Sequence, residues 1–231
     1  DRNHPDGIDI NMGCPDRSVE KQGAGAALMK DPKRAREIIR EMKRGAGGIP
    51  VSVKTRIGYN KNELDTWLPE ILAEEPAVVI VHARTRKEMS KVSAHWEEVA
   101  HAVKIRDSMG SKTLIVGNGD VSNLEEAKAK AKVSGADGVM IGRGIFGNPW
   151  LFNEKIKRED IPLEERLGVM IEHTKLFEKI CDHKNFAVMK KHYKAYVEGF
   201  NGAKELRIKL MDAKDASEME GMVSEFFKKK N

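Results

Sequence analysis

The chain has 231 residues, 40% hydrophobic and 33% charged, with 41 Lys and Arg against 36 Asp and Glu, for a net charge of +5. That length is ample for a core and allows one large domain or a domain with an appendage. No apolar run approaches the roughly 18 residues that cross a bilayer, and no charged-then-apolar leader is read at the start, so a membrane protein is not expected. Two cysteines, Cys14 and Cys181, are too few for a disulfide framework and point to a reducing cytoplasm. No His/Cys cluster has metal-ligand spacing, so no metal is expected. The basic balance is compatible with a nucleic-acid partner without requiring one.

The chain opens Asp1-Arg2-Asn3-His4, without Met, and reaches a motif-bearing strand almost at once. An N-terminal truncation is expected. In Asp9-Ile10-Asn11-Met12-Gly13-Cys14-Pro15, the residues Ile8, Ile10 and Met12 alternate with Asp9 and Asn11 as in a strand, which Gly13 and Pro15 then break. Cys14 therefore falls just past a strand end, where barrel and open-sheet enzymes place their chemistry. Taken alone it is a thiol for proton transfer or nucleophilic attack, or a small buried apolar residue. Further strand-like runs follow at 51–55, 78–81, 113–117 and 138–141. Helical patterns lie between them: 34–44, opened by Asp31-Pro32 and closed by Gly45, Gly47 and Gly48; 94–109; and 124–133, opened by a capping box Ser122-Asn123-Leu124-Glu125. Repeated strand–helix units of this length predict a parallel sheet.

After Gly147-Asn148-Pro149-Trp150 the pattern becomes helical, with stretches at 163–182, 186–200, 204–211 and 218–230. The expected division is 1–155 for the α/β part and 156–231 for an all-helical part. Between 184 and 209 there are seven basic side chains and two acidic ones, an excess equal to that of the whole chain. Lys190, Lys191 and Lys194 share a short stretch with His192, Tyr193 and Tyr196. This reads either as a solvated helix face or as a phosphate-contacting surface with aromatic neighbours. Cys181, among Leu176, Phe177 and Ile180, reads as structural.

Each strand-like run ends in a chemically loaded group. Asn11 and Cys14 end the first, Lys54 the second, His82 and Arg84 the third. Singly, a lysine or histidine at a strand end is more often structural. Three consecutive ends so equipped converge on one crevice in a parallel sheet. Gly117-Asn118-Gly119-Asp120 and Gly142-Arg143-Gly144 end the fourth and fifth. Their glycines permit close backbone approach to an anion, and Arg143 can clamp a phosphate. In a (β/α)8 barrel the loops after strands seven and eight bind phosphate, which would make these the last five units. Gly142-Arg143-Gly144-Ile145-Phe146-Gly147 also matches G-x-G-x-x-G. However, Asn148-Pro149 follows where a dinucleotide fold needs a helix, and no later strand or acid completes the unit.

Asn11-Met12-Gly13-Cys14-Pro15, Val53-Lys54-Thr55-Arg56, His82-Ala83-Arg84-Thr85-Arg86, Gly117-Asn118-Gly119-Asp120 and Gly142 through Trp150 stand in the order seen in tRNA-dihydrouridine synthases. The chain resembles the bacterial B-type members, and Met189-Lys190-Lys191-His192-Tyr193 resembles the signature of their helical domain. The resemblance implies an FMN-bearing TIM barrel, here its last five units, followed by a helical tRNA-binding domain. NADPH would reduce the flavin, hydride would pass to C6 of a tRNA uracil, and Cys14 would protonate C5. Lys54, His82, Asn118, Gly119, Asp120, Gly142 and Arg143 are implied as flavin contacts, with Lys54 stabilising negative charge on the reduced flavin. Asn11 and Arg84 are implied on the uracil side, and Lys190, Lys191 and Lys194 on the tRNA.

A cytoplasmic monomer acting on tRNA is expected. Ser18 departs from the lysine common in relatives at that position. Because the first barrel strands are expected to be missing, this chain alone should bind FMN poorly. Two other readings are an FMN barrel acting on a small molecule, as in dihydroorotate-type dehydrogenases, and a non-catalytic tRNA-binding module. The first leaves the basic helical part unexplained; Cys14 in its context argues against the second.

Overall fold

The structure, a computed structural model, describes residues 5–229; Asp1 to His4 and Lys230, on which parts of the sequence reading rest, lie outside them. Five strands form one parallel sheet in strictly sequential order: β1 (Ile8–Asn11), β2 (Val51–Arg56), β3 (Val78–His82), β4 (Leu114–Asn118) and β5 (Gly138–Met140). The connections carry α1 (Arg17–Glu20), a 3-10 turn at Gly25–Lys30, α2 (Pro32–Gly45), α3 (Leu64–Leu72), α4 (Trp96–Ser108) and α5 (Leu124–Ser134). Parallel crossovers are right-handed, so an order that never doubles back lays every helix on the same face. Accordingly α2 packs on α3, α3 on α4 and α4 on α5. This is the winding of a (β/α) barrel, as the sequence predicts.

The covered face is built by alternation. Val53, Val79, Val81 and Ile115 are buried against Ile39, Leu68, Ile71 and Ala102 of the helices. Successive side chains of a strand point to opposite faces, so the intervening residues share the other face. The register aligns them in two rows at the carboxyl ends: Asn11, Lys54, Ile80 and Val116, then Arg56, His82, Asn118 and Met140.

Two local features differ from the signals singled out in the sequence. Helix α3 fills the connection between the second and third strands, where no start or stop signal marks it. Pro69 lies inside it and its N-cap Glu63 makes no side-chain cap, which hides the usual signals. The capping box is shifted by one residue: Asn123 caps the Glu126 N–H at 2.7 Å, while the Glu126 carboxylate accepts from the Ser122 N–H at 2.9 Å. Asp31 caps α2 through the Arg34 N–H, with Pro32 at its first turn, as expected.

The chain divides into two compact units, Asp1–Gly142 and Arg143–Asn231, so the division falls ahead of 155. The second unit holds α6 (Leu163–Ile180), a 3-10 turn at Phe186–Met189, α7 (Lys190–Tyr196), α8 (Ala203–Leu210) and α9 (Ala216–Lys228) around Leu167, Met170, Tyr193, Leu206 and Met219. The helix expected at 186–200 is thus a 3-10 turn and a short α-helix. It stops at Val197, ahead of Gly199 with φ +77°.

Residues just after Gly142 belong with these helices. Gly147 has φ +68°, and a Cβ there would lie 2.4 Å from the Ala195 carbonyl oxygen. The third glycine of the dinucleotide-like run is therefore a packing glycine. Further along the same segment, the Arg158 guanidinium donates to the Ala195 carbonyl at 2.7 Å and pairs with Glu198 at 2.8 Å. Gly147→Ala combines a left-handed backbone with a backbone clash and should destabilise the helical unit by about 2 kcal/mol or more. Denaturant unfolding followed by circular dichroism measures this; an unchanged midpoint would show that the contact yields freely.

Candidate active site

Cys14 is held by its neighbours' backbone. The Asn11 side-chain oxygen accepts from the Gly13 N–H at 3.1 Å and the Cys14 N–H at 3.0 Å, an Asx turn that bends the chain out of β1. The Cys14 carbonyl accepts from the Ala26 N–H at 2.9 Å. Gly25, with φ +59°, permits that approach, since a Cβ there would lie 2.8 Å from the Cys14 oxygen. The thiol is half-buried, and among the described residues nothing hydrogen-bonds it.

Arg56, quoted in a motif above but given no role, proves central. The residue is 7% exposed, and its guanidinium donates to three backbone carbonyls: Gly13 at 2.8 Å, Thr85 at 3.1 Å and Met89 at 3.2 Å. It thereby ties the Cys14 loop to the loop after β3. A second tie joins the same loops, where Arg86 pairs with Glu20 and lies over the Tyr59 ring. The only sequence signal for Arg56 is its place two residues after Lys54, on the same strand face.

Arg84 is 3% exposed, with its partners inside the protein: the Val92 carbonyl at 2.7 Å, the Asp120 carboxylate, and the His82 Nε2 at 3.3 Å. Asp120 also accepts from the Ala94 N–H at 2.9 Å. Asn118 donates across the sheet to the Met140 carbonyl at 2.8 Å. Gly119 serves packing, since a Cβ there would lie 2.8 Å from the Ala94 Cβ. These residues stand at the strand ends where the sequence puts them, and their visible contacts shape the loops. Gly142 differs: a Cβ there would meet nothing within 4 Å, so the space beside its Cα is open.

Lys54 and His82 are the groups left to act. Among the described residues the Lys54 ammonium makes no hydrogen bond or ion pair, although the side chain is only partly exposed. Burial lowers its pKa, and the Arg56 charge lowers it further. Burial also pushes the His82 pKa down to about 3, helped by Arg56, Lys54 and Arg84. His82 is therefore neutral near pH 7. Arginine only donates, so the 3.3 Å contact makes Nε2 the acceptor and places the ring proton on Nδ1. The carboxyl ends of β2 and β3 thus present a cation, a neutral N–H donor and two buried guanidinia, an arrangement made for a planar or anionic ligand.

The other expected residues belong to the second unit. Arg143 opens a 3-10 turn at Arg143–Ile145 and is exposed. On α7, Lys191 and Lys194 are exposed and Lys190 is half-buried, and none has a carboxylate partner among the described residues. Tyr193 and Tyr196 are buried at 0% and 4%, so two of the expected aromatic neighbours belong to the core. Among the described residues, no metal-binding group and no helix able to cross a membrane occurs.

A sequentially wound parallel sheet, with a thiol, a free lysine and a neutral histidine at its carboxyl ends, defines a barrel-type α/β enzyme. The family model for dihydrouridine synthase (Dus) matches residues 1–231, and the chain belongs to that family. It is 43% identical over 223 residues to a probable tRNA-dihydrouridine synthase of Staphylococcus epidermidis, which covers 95% of this chain and 67% of the relative. A Staphylococcus aureus protein of the same name matches equally. The probable tRNA-dihydrouridine synthase 2 of Bacillus subtilis is 39% identical over 226 residues, 96% of this chain and 68% of the relative.

The depressed His82 pKa has a consequence for stability. Protonation is harder in the folded state than in the unfolded chain, so the His82 contribution is complete above about pH 6.5 and is lost as pH falls toward 3. Ring-nitrogen NMR should show His82 neutral, with its proton on Nδ1, throughout pH 5–8. His82→Asn should flatten the acid side of the stability profile. A ring titrating near 6.5 would overturn the assignment.

Proposed function

We propose that the chain carries the active site of a reductase that converts uridines in tRNA to 5,6-dihydrouridine. The observation that carries the reading is the clamped Cys14 loop, held by Asn11 and Arg56 at the same sheet end as Lys54 and His82. FMN, reduced by NADPH, would supply hydride to C6 of the uracil. The features that fit it are a partly buried ammonium without an acceptor, a neutral imidazole with its N–H free, and the open space beside Gly142. Lys54 would hold its ring electrostatically and His82 would donate to it, with the Gly142 backbone offered to its phosphate.

Cys14 would give its Sγ proton to C5, completing addition across the double bond. The donor must then stand as a thiolate until solvent reprotonates it. Arg56 is close enough for the Cys14 charge to act on it, and would stabilise that anion. The unpaired lysines of α7 favour a polyanionic substrate over a small one, with phosphate contacts offsetting the energy needed to lift a uridine out of its stack.

Cys14→Ala in the full-length protein should abolish dihydrouridine formation while leaving tRNA affinity within about twofold, since the thiol bears no phosphate contact. The check is mass spectrometry of tRNA from cells lacking the gene and complemented with each form. Wild-type levels from Cys14→Ala would remove the proton-donor role.

A further inference from the structure

Within the helical unit lies a cavity of about 430 Å³, in the range of small-molecule sites, whose lining includes Phe146, Leu176, His173, His192 and Tyr196. Its rings form a continuous edge-to-face series. Phe146 and His192 have centroids 5.0 Å apart, His192 and His173 5.0 Å, and His173 and Tyr196 6.0 Å. Burial lowers the pKa of both histidines, so they present neutral rings near pH 7. Apolar surface is left facing water here: Phe146 is 37% exposed and Leu176 45%. The ring nitrogens of His192 have no hydrogen-bond partner among the described residues, and the exposed Glu172 carboxylate adds an acceptor.

Unpaired cations lie beside this cavity, whose lining also holds the Glu172 carboxylate. The Lys191 ammonium lies 5.6 Å from the Phe146 ring centroid, and Lys190, Lys191 and Lys194 on the same helix as His192 lack carboxylate partners. Two other exposed lysines of the unit are paired, Lys175 with Glu220 at 2.7 Å and Lys209 with Glu225 at 3.4 Å. An edge-to-face series of rings with hydrogen-bonding edges, flanked by lysines without carboxylate partners, matches a nucleobase and its backbone phosphates.

We propose that the cavity lined by Phe146, His173, His192 and Tyr196 is a stacking pocket for one unpaired base of the bound tRNA, distinct from the uridine being reduced, with the adjoining phosphates on Lys190, Lys191 and Lys194. The proposal rests on tRNA being the substrate. It adds a base-holding site that Cys14 does not line. Gly147 is the local device that makes it, because the left-handed turn against Ala195 fixes the neighbouring Phe146 beside His192.

The test measures tRNA affinity of the full chain by fluorescence anisotropy across a salt series. Phe146→Ala should weaken binding about tenfold with the salt slope unchanged, because stacking releases no counterions, and Phe146→Trp should restore it. His192→Ala, at a half-exposed position, should repeat the loss. The triple variant K190A/K191A/K194A should instead flatten the slope by about two to three. In chemical footprinting, one unpaired base other than the modified uridine should be protected by the parent and exposed by Phe146→Ala. Parental affinity in Phe146→Ala and His192→Ala, or a loss that Phe146→Trp does not restore, overturns the pocket alone. A parent chain that binds no tRNA at low salt overturns the functional reading and the pocket with it.

Discussion

A guanidinium taken out of water must find acceptors, and Arg56 finds three backbone carbonyls on two loops rather than a carboxylate. That choice governs the rest of the site. The carbonyls take three hydrogen bonds from its five N–H groups, which offsets the burial of the cation and pins the Cys14 loop to the loop after β3. They leave its positive charge uncancelled. Arg84 beside it is neutralised by Asp120. Net positive potential therefore persists at the carboxyl ends of β2 and β3, which together with burial keeps His82 uncharged and lowers the Lys54 pKa. One side chain thus serves both positioning and electrostatics, and an electron-rich ligand would meet a field already in place.

That arrangement follows from the register. Parallel pairing sets Asn11 opposite Lys54 and Arg56 opposite His82, while helices on the opposite face take Val53, Val79 and Val81. The alternation of apolar and polar residues was legible in the sequence, as were the strand ends, the Asp31-Pro32 helix start and the all-helical C-terminal part. What lay hidden was cooperative. Helix α3 carries a proline in its interior and no side-chain cap, so packing of Leu64, Leu68 and Ile71 decides it rather than local propensity. The role of Arg56 depends on carbonyls at Gly13, Thr85 and Met89, far apart in the chain, and no spacing rule encodes them.

The same distinction separates the expected ligand contacts into two kinds. Asn118, Gly119, Asp120 and Arg84 already have protein partners that fix the loops after β3 and β4. Lys54, the His82 N–H and the Gly142 backbone do not. A motif match cannot distinguish these cases, because a residue that shapes a loop and one that touches the ligand are equally fixed in sequence. Geometry can, by asking where each donor is already spent. Applied to α7, the same question removes Tyr193 to the core and leaves three lysines with unspent charge.

Gly147 shows how far a motif can mislead when read without its partners. In sequence it completes a dinucleotide-like run; in the structure its missing Cβ admits the Ala195 carbonyl, and the turn it permits carries Phe146 to the ring series. The energetic demand there is steric, and it belongs to the helical unit alone. A glycine run following a parallel strand therefore has two possible causes, backbone approach to an anion and backbone approach to another helix. Here Gly142 leaves the space open that an anion needs, and five residues later Gly147 gives its space to protein.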